Sequence, residues 1–287
     1  MGSRRRAPRR CGTRQQRVPF SWIEARYGLA VRLESLIRRL GVATRPPRDV
    51  WERGLAQEVA WWEAWIDGDG RRWPEVYRER LDPTAALAEP LLAECIEAIS
   101  STRISILDVG AGPCTSLGKT YPGKQLEITP VDPLAEEYNR LWARKGIAPP
   151  VPTRACRGEE LRARFGSGRF DIAYARNALD HTADPALVIR NMVGVVRCGG
   201  FVVLRHSANE AVKADYRGLH QWNFSIRGAD LVIRRLRRTV NVSELLRGEV
   251  SEHCDLLRDE QGEWIIAVFV KRSGRASPSH GATEPPA

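Results

Sequence analysis

The sequence predicts an α/β fold, an open and mostly parallel sheet with helices on both faces. Three observations carry this. From residue 104, short apolar runs alternate with helical patterns: ISILDV (104–109), LEITPVD (126–132), VPTRAC (151–156), FDIAYA (170–175) and FVVLRH (201–206). Strands alternating with helices imply right-handed crossovers and parallel pairing. The first run ends in an acid and two spaced glycines, DVGAG at 108–112, a strand-to-helix turn at the sheet edge where ligands bind. Beyond residue 222 the pattern changes to closely spaced strand pairs, which reads as antiparallel closure.

Composition bounds the rest. A chain of 287 residues, 43% hydrophobic and with nine Trp, can bury one large core or a core with a smaller satellite. No window approaches 18 consecutive apolar residues, so no membrane span is expected. The six cysteines (Cys11, Cys95, Cys114, Cys156, Cys198, Cys254) form no CxxC pair. Neither a zinc site nor a disulfide framework is suggested, no metal is expected, and a reducing cytoplasm is predicted. The net charge of +10 is concentrated at one end. Residues 1–17 hold seven Arg and no acid, which leaves 38 basic against 35 acidic side chains elsewhere. This stretch reads as a disordered basic tail; no apolar segment follows it, so it does not read as a secretion leader. Only five of the 45 basic residues are Lys, so arginine alone carries little functional information.

The elements follow in order. Residues 21–41 carry Ile23, Tyr27, Val31, Leu36, Ile37 and Leu40 at helical spacing, with Gly41 as a C-cap. Residues 49–66 form a second helix capped by Asp49, and DGDGRRWP follows as a loop. A third helix is read over 84–100 with Thr84 as cap. After the second strand, 132–146 is a helix that starts on Asp-Pro and stops on glycine. GEELRARFG gives a short helix, and 184–200 a longer one that starts on Asp184-Pro185. WNFSIR (222–227) and LVIRR (231–235) flank a three-residue hairpin loop, Ser243 caps a short helix, and 250–258 pairs with 263–271. The expected units are a basic tail (1–17), a helical cap and acceptor region (18–100), a ligand-binding α/β domain (101–272) with a hairpin insertion at about 218–240, and a disordered tail (273–287).

Gly110 and Gly112 let the backbone turn sharply and approach a ligand without a Cβ in the way. A dinucleotide fingerprint places a third glycine at 115, where this chain has Thr115. Asp108 matters more. An anion there repels a pyrophosphate but suits a cationic, amino-bearing ligand. The sulfonium and α-amino groups of S-adenosylmethionine meet that demand.

On these residues the chain resembles the class I S-adenosylmethionine-dependent methyltransferases, of the type called methyltransferase type 11, over residues 104 to about 206. The resemblance implies a seven-stranded Rossmann-like sheet, to which the helices before residue 100 add an N-terminal cap and the WNFSIR/LVIRR pair a C-terminal β-hairpin insertion. LDVGAGP resembles the first motif, giving Asp108, Gly110, Ala111 and Gly112 as cofactor contacts, with Cys114 where a third glycine is common. Asp132, with Pro133, stands where a second-strand acid binds both ribose hydroxyls, a task that a carboxylate performs with its two oxygens. CRGEEL resembles the adenine-lining segment and implies Gly158 and Glu159. FDIAYARNALDHTADP resembles the segment beneath the methionine portion, which gives Arg176 and Asn177. CGGFVVLRH resembles the strand that closes the pocket. The implied cofactor is S-adenosylmethionine, with S-adenosylhomocysteine as product.

Methyl transfer needs alignment of nucleophile, carbon and sulfur, and removal of a proton when the nucleophile is a hydroxyl. His181, His206 and His220 lie near predicted strand ends and are the candidate bases. Tyr216, His220, Gln221, Trp222 and Asn223, in YRGLHQWNF, form the expected acceptor wall; Trp62, from the Trp-rich helix, is expected to line it too. The expected function is O-methylation of a small molecule such as a natural product or sugar. The other readings are N-methylation of a small molecule, RNA methylation anchored by the basic tail, a non-catalytic binding protein on the same fold and, last, a nicotinamide oxidoreductase. The partner is a small-molecule acceptor; nucleic acid and membrane are not expected, and a homodimer is left open.

Overall fold

The computed structural model describes residues 47–259 and 262–273. The expected basic tail, the helix over 21–41, the cap at Asp49 as a side chain, the turn residues 260–261 and the tail from 274 lie outside what is described. Three helices come first: α1 (Pro47–Asp67), α2 (Pro74–Leu81) and α3 (Pro90–Glu97). The sheet follows, with β1 (Arg103–Val109), β2 (Gln125–Asp132), α4 (Ala135–Lys145), β3 (Arg154–Ala155), α5 (Leu161–Phe165), β4 (Phe170–Arg176), α6 (Pro185–Val195) and β5 (Val196–Ser207). The last part holds α7 (Glu210–Lys213), β6 (Asn223–Arg227), β7 (Asp230–Arg235), β8 (Arg238–Asn241), α8 (Val242–Leu245), β9 (Val250–Asp259) and β10 (Gly262–Lys271).

Seven strands make one mixed sheet in the order β3-β2-β1-β4-β5-β10-β9. The first five pair in parallel, while β10 runs antiparallel to both β5 and β9. Strand order reverses between β1 and β4, which places the mouth of a ligand crevice beyond Val109 and Arg176. Near-continuous burial of Phe170–Ala175 on β4 follows from its central position between covered faces. Helix α6 starts as its sequence demands: Pro185 occupies the first turn and the Asp184 side chain accepts a hydrogen bond from Leu187 N at 3.2 Å. Helix α4 stops where Gly146 takes the left-handed conformation, φ +72°.

Several elements differ from expectation. The helix read over 84–100 begins only at Pro90, because the residue before a proline is pushed out of the helical region, and Glu89 is extended (φ −71°, ψ 110°). Thr84 is no cap; its backbone and hydroxyl donate to Asp82 Oδ1 in an Asx turn. The loop read over DGDGRRWP gives way at Pro74, which sits in the first turn of α2, a helix for which the sequence reading had no element. The hairpin has a two-residue connection, Gly228–Ala229, and gains a third strand, β8, so the insertion is a three-stranded sheet. Asn241, not Ser243, caps α8 by accepting from Glu244 N; the Ser243 hydroxyl accepts from Leu231 N.

Three apolar clusters hold the layers. The largest packs α6 and the insertion onto one face of the sheet through residues such as Val188, Trp222, Phe224 and Ile233. On the other face Leu92, Ile96 and Ile99, in and after α3, meet Ile104, Ile106 and Tyr174. The third joins Trp65, Ile66 and Tyr77 of α1 and α2 to Cys114, Tyr138 and Trp142. Helices α1–α3 thus share the cores of the sheet layers. Among the described residues, no helix is long and apolar enough to cross a membrane.

Candidate functional site

A cavity of about 590 Å³ opens at the carboxyl ends of β1, β2 and β4. The turn after β1 forms its floor. Gly110 (φ +72°) and Gly112 (φ +67°) both adopt left-handed backbone, and space forbids a side chain as well. A Cβ on Gly110 would lie 2.3 Å from the Ala178 Cβ, and one on Gly112 2.9 Å from the Trp62 ring. Asn177 supplies a further left-handed residue (φ 47°) at the end of β4, and its Oδ1 accepts from Ser207 N at 3.1 Å.

Two buried carboxylates face this floor. Asp108 Oδ2 accepts from the Thr115 hydroxyl at 2.7 Å. Burial pushes its carboxyl up to about 6, opposed by the Thr115 hydrogen bond and by Arg80 and Arg176. Asp132 Oδ1 accepts from Leu134 N at 2.9 Å and its Oδ2 from Gly112 N at 3.1 Å. Burial raises it also to about 6 against those two backbone hydrogen bonds. Asp132 therefore turns the chain into α4 and ties β2 to the glycine loop, with acceptor capacity remaining on each oxygen.

Of the residues expected to contact a cofactor, Asp108, Gly110, Ala111, Gly112, Asp132, Pro133, Gly158, Glu159, Arg176 and Asn177 all line this cavity. Two carry structural duties besides. Gly158 lets α6 approach, since a Cβ there would meet Val188 at 2.7 Å. Glu159 Oε1 accepts from Ala183 N and Asp184 N at 3.0 and 3.2 Å.

The expected acceptor wall divides. Trp62 lines the cavity, and its indole donates to Glu58 Oε1 at 2.8 Å. His181 lines it as well. Tyr216, His220, Gln221, Trp222 and Asn223 do not; all but His220 brace the loop and the insertion instead. Gln221 Nε2 donates to the carbonyls of Tyr216 and Gly218, Trp222 Nε1 to that of Thr182, and Asn223 Nδ2 to the Tyr216 hydroxyl. His206, expected as a base, is 1% exposed and stacks on Phe224 at 4.4 Å. Burial pulls its pKa down to about 4, so it stands neutral and out of the cavity.

The structure gathers Asp180, His181 and His220 although they are scattered in sequence. His220 Nδ1 lies 2.8 Å from Asp180 Oδ2 and 3.0 Å from His181 Nε2. Burial pushes the Asp180 carboxyl up, but His181 and the contact to His220 outweigh it and hold it below the ordinary range. The Asp180 contact in turn raises His220.

Some lining residues were not anticipated. Arg80 of α2 donates through Nη1 to the Cys114 carbonyl at 2.7 Å and lies over the rings of Trp62 and Trp65 at 5.3 and 5.5 Å. Across the cavity Arg205 pairs with Glu89 at 3.0 Å and lies over the Trp264 ring at 4.9 Å. Six acids and four arginines line the whole. That balance, with two of the acids buried at the glycine floor, suits a ligand with cationic character.

Residues 107–204 match the family described as a methyltransferase domain. Proteins named uncharacterized methyltransferase from Mycobacterium sp. strains KMS and JLS resemble the chain; the KMS protein is 28% identical over 131 residues, covering 46% of this chain and 49% of its own. The matched segment spans about half the length of these curated relatives. Among solved structures, a Burkholderia thailandensis 1,6-didemethyltoxoflavin-N1-methyltransferase with bound 1,6-didemethyltoxoflavin and S-adenosylhomocysteine superposes with a TM-score of 0.44 at 16% identity, covering 80% of this chain and 92% of that one. The CurJ carbon methyltransferase gives 0.48 at 16% identity, with 89% and 81% covered.

Proposed function

We propose, from the premise that residues 107–204 are a methyltransferase domain, that this chain binds S-adenosylmethionine and methylates a hydroxyl of a small molecule such as a natural product or sugar. The observation that carries the reading is the pair of buried carboxylates, Asp108 and Asp132, at the ends of adjacent strands over one cavity. The donor set fits the cofactor: Asp108 for a cationic amino-acid portion, Asp132 for vicinal hydroxyls, and a close-packed glycine turn where Cβ atoms at 110 and 112 would collide with Ala178 and Trp62. When bound, the cofactor supplies an electrophilic methyl on a positive sulfur. The chain's own residues bind it, exclude water and seat the acceptor. Arg80, a neighbour of Asp108, supplies the positive charge that an amino-acid carboxylate needs. His181, on the cavity wall with Asp180 and His220 behind it, is the group best placed to meet an acceptor hydroxyl. Oxygen is favoured over nitrogen because a base on the cavity wall assists a hydroxyl more than a neutral amine, which already carries a nucleophilic lone pair.

The test is product analysis by mass spectrometry after incubation with the cofactor and a panel of phenols, sugars, amines and RNA. The expected result is a gain of one methyl on a hydroxyl compound, slowed by His181→Ala with little change in cofactor affinity. Methylation of RNA alone, lost when residues 1–17 are removed, would contradict it.

A further inference from the structure

One ring nitrogen at the cavity edge has two partners that compete for it. In a proton relay, the carboxylate meets one nitrogen of a histidine and the next residue meets the other. Here Asp180 Oδ2 and His181 Nε2 approach the same atom, His220 Nδ1, at 2.8 and 3.0 Å, and lie 3.6 Å from each other. A proton on that nitrogen must be shared, leaving the His181 lone pair set against the carboxylate. Without it, a lone pair faces the carboxylate at 2.8 Å. A cation at the centre of the triangle satisfies all three lone pairs at once.

We propose that Asp180, His181 and His220 bind a divalent transition-metal ion at the edge of the cavity. The triangle has the right size. Nitrogen and oxygen ligands about 2.1 Å from a metal at octahedral or tetrahedral angles lie about 3.0–3.4 Å apart, and the observed edges bracket that range. A second observation points the same way: Asp180 is 1% exposed, yet its Oδ1 has no hydrogen-bond partner among the described residues. An ion can engage both carboxylate oxygens. Glu58 Oε2 lies 3.9 Å from His181 Nδ1, on the side away from the cluster, where an outer carboxylate orients a ligating imidazole. The side chains of His181 and His220 are 20% and 33% exposed, so an ion can enter the folded chain. Two imidazoles and one carboxylate select ions such as Zn²⁺, Fe²⁺ or Co²⁺ over Mg²⁺ or Ca²⁺ and leave positions open. Because His181 also lines the cavity, an oxygen- or nitrogen-bearing small molecule is the class of ligand that would complete the shell; with the ion held, the His181 Nε2 lone pair is occupied, and the ion rather than the imidazole would meet the acceptor there. Ion binding itself does not depend on the methyl-transfer reading; a role for the ion in holding the acceptor does.

The full chain, stripped with a chelator and dialysed, is titrated calorimetrically with Zn²⁺, and with Co²⁺ for its absorption spectrum. The expected result is one ion per chain, with affinity falling by at least about a hundredfold in Asp180→Asn, His181→Ala and His220→Ala and about tenfold in Glu58→Gln. Cys198→Ser, which removes the exposed thiol among the described residues, leaves binding unchanged. Absence of stoichiometric binding, or binding indifferent to all three ligand substitutions, overturns the proposal. Should those variants fail to fold, X-ray absorption on the zinc-loaded wild type reads the shell directly. Two imidazoles are expected, and a shell of sulfur or of oxygen alone refutes the site.

Discussion

At the scale of single residues, the site rests on side chains that are present or forbidden for steric reasons. Gly110→Ala would meet Ala178 at a backbone φ of +72°, so a loss of about 1–3 kcal/mol in denaturant unfolding is expected. An unchanged midpoint would show that the loop accommodates a Cβ. His206→Phe should leave turnover essentially unaltered, since the imidazole packs on Phe224 as an aromatic ring outside the cavity; a large fall in turnover would return His206 to the chemistry. What was legible at this scale was local. Asp108, Gly110 and Gly112 sit within five residues, and Asp132 ends the next strand, so adjacency in sequence is adjacency in space. Arg80 with the Cys114 carbonyl, or Glu89 with Arg205, meet across 34 and 116 positions. No pattern in one chain reveals such a pair. Why most of YRGLHQWNF lies outside the cavity has the same cause: its polar and aromatic density marks hydrogen-bonding capacity, which the fold directs into bracing its own loop.

At the scale of elements, α2 shows how a short helix is held by its neighbours. Only Tyr77 on it is buried, too weak a pattern for sequence reading to find in eight residues. Instead Lys119 Nζ donates to the carbonyls of Glu79 and Arg80, and Arg80 reaches the glycine loop. Arg80→Met should therefore loosen both ends of this tie. Faster amide hydrogen exchange is expected across 74–81 and 110–116, with weaker cofactor binding; unchanged exchange in both segments would show the tie to be incidental. The longer elements were legible because burial imposes period on them, as in β4 and α6. The four-residue β8 was too short to carry one, while β3, read over 151–156, is only two residues long.

At the scale of the whole molecule, the parallel sheet brings two buried acids to one edge, and their titration couples stability to ligand binding. Asp108 and Asp132 are both raised to about 6, so between the ordinary carboxylate range and pH 6 the folded chain binds more protons at these sites than the unfolded chain. Their contribution to stability therefore falls as pH rises through that window. Cofactor affinity moves the other way, because a cationic ligand needs the ionised forms: binding should weaken as pH drops from 7 to 5. Calorimetry across that range checks it, and affinity independent of pH would mean that neither carboxylate meets the ligand. The sheet was foreseeable from alternating strands and helices; the shared cores of α1–α3 with its layers were not, because the third cluster is assembled from segments far apart in the chain.

The most direct measurement is isothermal titration of the wild-type chain and Asp108→Asn with S-adenosylmethionine, with NADH as the contrasting ligand. The wild type should bind the sulfonium compound and not the dinucleotide, and the variant should lose at least about tenfold in affinity, the weight of one charge-assisted contact. Tight binding of NADH, or equal affinity in both proteins, would contradict an acidic cofactor floor.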